Sequence, residues 1–119
     1  MHVINLLMNW TVETLNSTVD EEIVALPASL QARMLRLFER IEAIGLENMG
    51  APHVKHLEGK LWEIRAKGAD GIARAVYVTA TGRRVVVLHA FVKKTQKTPK
   101  AALDIARKRA KEVDDDEAE

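Results

Sequence analysis

Between Leu57 and Lys97 the chain alternates short apolar runs with glycine-bearing turns. Leu61–Lys67 and Ile72–Ala80 carry β-branched and aromatic residues on either side of Gly68-Ala69-Asp70-Gly71, and Arg84–Val92 follows Thr81-Gly82. This spacing predicts three strands joined by two hairpin turns. In the first strand Trp62, Ile64 and Ala66 share one face, while Leu61, Glu63, Arg65 and Lys67 share the other. In the last, Val85, Val87, His89 and Phe91 alternate with Val86, Leu88, Ala90 and Val92. Both of its faces are apolar, which predicts a central strand covered on both sides.

Upstream, Met8–Thr14 alternates weakly and reads as an opening strand. Val19–Leu26 reads as a short helix with acids in its first turn, where the helix dipole favours them, and Pro27 stops it. Over Ala28–Ile44 the apolar positions Leu30, Met34, Leu37, Phe38, Ile41 and Ile44 recur at three- and four-residue intervals, the pattern of a helix with one buried stripe. Gly45 is its expected stop. Arg33, Arg36 and Arg40 fall outside the stripe and read as solvated helix surface. Leu46–Glu58 reads as a loop. Its His53 and His56 lack a carboxylate or thiol partner, a weak basis for a metal site. Thr98 and Pro99 read as the N-cap and first residue of a last helix, Pro99–Val113, with Ala102, Leu103, Ala106 and Ala110 as its apolar stripe. The expected architecture is α+β, in the order β-α-α-β-β-β-α with about four antiparallel strands. Residues 1–113 form one domain, with 1–7 a possible extension and 114–119 an acidic disordered tail.

The 119 residues contain no cysteine, which excludes a disulfide framework, a thiol nucleophile and thiolate metal ligands, and fits a reducing cytoplasm. No apolar run approaches the ~20 residues of a membrane span, and His2–Met8 lacks the basic flank of a signal peptide. The net charge of +1 hides an asymmetry. Residues 1–50 hold three arginines against seven acids, residues 51–111 hold fifteen Lys and Arg against four acids, and residues 112–119 hold six acids. A basic excess on the hairpin and the following segment suits a phosphate backbone.

Register sharpens this. A loop closed by Lys67 and Ile72 puts Arg65 opposite Arg74, and a two-residue loop closed by Ala80 and Arg83 puts Arg74 opposite His89. The three side chains then form one cationic row across three strands. Like charges directly opposite destabilise a sheet, but such a row suits an anion lying across it.

The segments LWEIR, GIARAVYV and VVVLHAFVKKTQKTP, followed by a basic helix, resemble the RelE/ParE superfamily of toxins from type II toxin–antitoxin pairs, in the HigB-like, phage-related branch. The resemblance runs from about Met8 to Val113. It implies a ribosome-dependent mRNA endonuclease that inhibits translation, acts in the cytoplasm without a metal or cofactor, and is neutralised by a cognate antitoxin. The antitoxin of this branch usually carries a helix-turn-helix domain and binds operator DNA. Arg65, Arg74, Lys93 and Lys94 match the family's active positions, and His89 joins them from the register. Lys55, Lys60, Lys67, Arg83 and Lys97 are expected RNA contacts, and Phe91 is the expected base contact, because the last helix has no aromatic residue. Glu63 departs from the family's better-known members, which carry a basic residue there. Two other readings remain: a ParE-like gyrase poison of the same fold, and a non-catalytic co-repressor that holds an antitoxin.

RNA cleavage without metal proceeds by attack of a 2′-hydroxyl on its own phosphate. It needs a base, an acid on the leaving oxygen and cations on the phosphorane.

Overall fold

The computed structural model describes residues 9–94 and 97–113. Met1–Met8, Thr95, Gln96 and the acidic run Asp114–Glu119 lie outside the described residues. Strand β1 spans Thr11–Thr14, helix α1 Ser17–Val24 and helix α2 Ala28–Ile44. After a 3₁₀ turn at Leu46–Asn48 come β2 (Val54–Glu58), β3 (Leu61–Gly68), β4 (Gly71–Ala80) and β5 (Arg84–Lys93). Helix α3, Lys100–Ala110, follows. Among the described residues no helix is long and apolar enough to cross a membrane.

The sheet has five strands in the order β1-β5-β4-β3-β2. Two features differ from expectation. β1 pairs with β5 in parallel, with Val12 beside Val85, so the sheet is mixed. And Val54–Glu58, expected as loop, forms an antiparallel edge strand on β3, with Lys55 beside Glu63 and His56 beside Trp62. Its sequence, VKHLE, lacks apolar alternation because an edge strand over a polar rim has little to bury.

α2 occupies its expected span and buries Leu30, Met34, Leu37, Phe38 and Ile41; Ile44, at its end, stays exposed. α1 begins two residues earlier than the acids suggest, because the Asn16 side chain accepts the Val19 N–H at 3.2 Å and caps it. Both helices cover the sheet face carrying Ile64, Ala66, Ala73, Ala75, Tyr77, Val85 and Val87. α3 covers the other, where Ala106 packs with Leu61, Val76, Val78, Val86 and Leu88. β5 is thus buried on both sides, as its two apolar faces require.

The β3–β4 turn tightens to Ala69-Asp70 between Gly68 and Gly71. Gly71 has φ +127°, and a Cβ there would lie 3.2 Å from the Lys93 carbonyl oxygen. Glycine is therefore required twice over, by dihedral and by close approach.

Candidate functional site

Arg65 and Arg74 face each other across β3 and β4, as the turn spacing predicts. The position of His89 is a correction. The β4–β5 loop holds three residues, closed by Ala80 and Arg84, with Arg83 in the left-handed region at φ 58°. A second one-residue shift follows: Tyr77 pairs with Val87 and Val76 with His89, leaving Leu88 as a bulge. Phe91, not His89, therefore stands opposite Arg74. The bulge also splits the expected face. Val85 and Val87 point toward α1 and α2, whereas His89 and Phe91 share the face of Arg65 and Arg74.

Glu63 explains why two arginines tolerate this pairing. It lies on the same face, two residues before Arg65, and is 0% exposed. Its Oε1 is 2.9 Å from Arg65 Nε and 3.9 Å from Arg74 Nη1. The Thr98 hydroxyl donates to Glu63 Oε2 at 2.8 Å and accepts from Arg74 Nη1 at 3.2 Å. Thr98 thus joins the network instead of capping α3, whose N-cap is Pro99 and has no side-chain hydrogen bond. Arg74 is 0% exposed, while the Arg65 side chain keeps 14% exposure. Burial lowers the pKa of Arg74; Glu63 restores part of it and Arg65 takes part away. The anion place between the arginines is filled by the chain's own carboxylate. Arg74 is therefore an interior structural cation and not an open half of a phosphate clamp.

His89 is held elsewhere. β1 ends at Thr14, level with Val87, so β5 has a free edge beyond it. Glu22 of α1 fills that edge. Its Oε1 accepts the Ala90 N–H at 3.1 Å and lies 2.9 Å from His89 Nδ1. Arg109 of α3 donates to the same carboxylate, at 2.8 Å to Oε2, and to the Leu88 carbonyl at 2.9 Å. Burial opposes ionisation of Glu22, but the hydrogen bonds from His89, Ala90 and Arg109 outweigh it and hold its pKa below the ordinary 4.5. The His89 ring also stacks on Phe91 at 4.9 Å between centroids. This cluster ties α1 and α3 to the sheet edge. Neither Glu22 nor Arg109 was visible as a partner in the sequence.

The expected RNA contacts separate. Lys67 pairs with Ile72, and Ile72 with Lys93, so Lys67 and Lys93 end one row at the β3–β4 turn beside Arg65. Lys94 and Lys97 are exposed just beyond. Lys60 lies at the β2–β3 turn and Arg83 at the β4–β5 turn, the opposite end of the sheet. Arg83 is 3.4 Å from Glu47 and sits over the Trp10 ring. Lys55 is exposed on the edge strand, and Phe91 is half-buried against His89.

One residue outside the expected set enters the site. The loop before β2 passes over the rim of β3, where the Arg65 N–H donates to the His53 carbonyl at 2.8 Å. Pro52, His53, Arg65, Lys67 and Ile72 line a cleft of about 150 Å³. The histidine adjacent to the solvent-reaching arginine is His53. Sequence spacing hides this, because the two residues are joined through a strand that the apolar pattern does not reveal.

Residues 21–111 match the family model described as phage-derived protein Gp49-like (DUF891). No curated protein matches the chain.

Proposed function

Because the chain belongs to the Gp49-like family, a family of RelE/HigB-like toxins, we propose that it is the toxin of a type II toxin–antitoxin pair and cleaves mRNA on the ribosome. The observation that carries this reading is the cleft beside Arg65. It is lined by Arg65, Lys67 and His53 at one end of the sheet, with Lys93 in the same row as Lys67.

The chemistry follows from these groups. Arg65 and Lys67 hold the scissile phosphate and stabilise the charge that builds on the phosphorane. His53 takes the 2′-hydroxyl proton, or gives one to the leaving 5′-oxygen, within the ~10²–10⁴-fold range of general acid–base help. Lys93 and Lys94 supply the further cation or proton. Arg74 and Glu63 position Arg65 from within, and His89 serves the α1–α3 junction. No metal is needed for this route. A cognate antitoxin with a helix-turn-helix domain, which would carry operator DNA, is the expected partner, and it would silence the toxin by covering the basic rim.

The test is induced expression. Wild type is expected to arrest growth and leave cut transcripts, while Arg65→Ala and His53→Ala arrest poorly and leave mRNA intact. DNA breaks beside intact mRNA would replace this reading with a gyrase poison. No growth arrest at all would leave a co-repressor.

A further inference from the structure

The face of α2 that reads as plain solvated surface closes a second cleft. Arg33, Arg36 and Arg40 lie along the helix, and Lys67 and His53 rise from the sheet edge opposite them, over a floor of Leu37 and Ala66. The space is about 200 Å³. Arg33 is fixed in place by donating to the Lys67 carbonyl at 2.8 Å. Arg36 and Arg40 are exposed and have no hydrogen-bond or ion-pair partner among the described residues. Three acids near the cleft are engaged elsewhere: Glu42 accepts the Val12 N–H, Glu47 accepts from Trp10 and Arg83, and Asp70 meets Ser29; Glu39 of α2 is exposed and stays outside the cleft lining. Among the described residues no acidic side chain lines the cleft.

His53 and Lys67 line both this cleft and the one beside Arg65. The two are therefore halves of one cationic track that wraps round the β3 edge from α2 to the opposite face of the sheet. Arg33 to Arg40 spans ~10 Å at the helical rise, long enough for more than one phosphate. Among the described residues no Phe, Tyr or Trp lines either cleft to stack on a base, so the track grips backbone and does not read sequence.

We propose that the α2 cleft is a second RNA contact, holding the phosphate backbone that continues from the Arg65–His53 cleft. This rests on the RNA reading above. Arg36 and Arg40 make sequence-independent contacts there, remote from the reacting phosphate.

The experiment measures binding of a labelled single-stranded RNA by anisotropy across a KCl series. It compares wild type, Arg65→Ala, the double variant Arg36→Ala with Arg40→Ala, and the same pair changed to Lys. Each single-strand phosphate contact contributes ~0.7 to the slope of log affinity against log salt. The alanine pair is expected to flatten the slope by about 1.4 and weaken binding about 25-fold at ~0.1 M salt. The lysine pair is expected to keep the wild-type slope, which separates lost charge from lost fold. An unchanged slope and affinity in the alanine pair, with Arg65→Ala weakened, overturns this inference and leaves the RNA reading standing. Failure of wild type to bind RNA overturns both. If the alanine pair binds RNA normally but loses affinity for polyglutamate, the cleft serves an acidic protein segment and the inference is wrong.

Discussion

Replacing Glu63 by Gln keeps the shape of the side chain and removes one buried negative charge. Arg65 and Arg74 stand opposite each other, with Cβ atoms ~5 Å apart, and Arg74 is fully buried. Breaking a buried pair from one side costs about 3–5 kcal/mol, because a charge stays behind in the interior. The 3.9 Å separation from Arg74 and the 14% exposure of Arg65 place Glu63→Gln at the lower end, about 3 kcal/mol. In a chain of 119 residues, that lowers the melting midpoint by about 12 °C. Urea unfolding is expected to show the loss in the midpoint with the slope unchanged. Adding Arg74→Met to Glu63→Gln removes the stranded cation and is expected to recover about 1–2 kcal/mol as a coupling energy. The exposed Arg107–Glu58 pair is a control: it has shorter contacts, 2.6 and 2.7 Å, yet its removal is expected to move the midpoint far less, because solvent screens it. If Glu63→Gln melts within about 0.5 kcal/mol of wild type, the carboxylate does not neutralise the arginine pair and the account of the site fails.

Three further outcomes follow from the same structure. Glu22 has a depressed pKa in the fold, so its contribution is fully present above the ordinary value of 4.5 and is lost as pH falls through the folded value; the stability gap between wild type and Glu22→Gln is expected to be flat near neutrality and to close under acid in a urea series. Burial raises the pKa of Tyr77, the chain's single tyrosine, above its ordinary 10.0, so its preference for the fold costs stability as pH rises above 10.0, and absorbance near the phenolate band is expected to appear only with unfolding. Gly71→Ala puts a Cβ at positive φ and 3.2 Å from Lys93 O and Val92 Cγ2; it is expected to cost about 1–3 kcal/mol by thermal melt, and an unchanged melt would show that the turn can relax.

The helices and hairpins were legible because their signals are local. α2 follows from one apolar stripe, and the Arg65–Arg74 pairing from one tight turn. The position of His89 was not, and the reason is instructive. A left-handed residue at Arg83 lengthens one loop by a residue, and the bulge at Leu88 adds a second. Either alone would have turned His89 to the opposite face, since strand side chains alternate with period two. Together they restore its face but carry it one pair along, beside Val76. β2 escaped because an exposed edge needs no alternation. The α2 cleft escaped because Arg36 and Arg40 look like any helix surface until Lys67 and His53, distant in sequence, are set opposite. Thr98 carried a genuine N-cap signal, and the buried network outcompeted it for the hydroxyl.

Glu63 decides where this protein can meet an anion. A pair of opposed arginines in a dry sheet needs a counter-charge; if RNA supplied it, the empty fold would bear the repulsion, and the arginines would be reached from solvent. Here a carboxylate two residues from Arg65 supplies it, the Thr98 hydroxyl completes it, and Arg74 is closed off. The position that the family pattern marks as a shared arginine clamp therefore stabilises the fold. What remains to face a phosphate is the outer side of Arg65 and the residues that share its cleft, His53 and Lys67. On the proposed reading, chemistry at that rim would lose the depth of a buried site but gain continuity with the cations of α2, and binding by charge along a backbone would take over what a deep clamp would have done with two arginines at one phosphate.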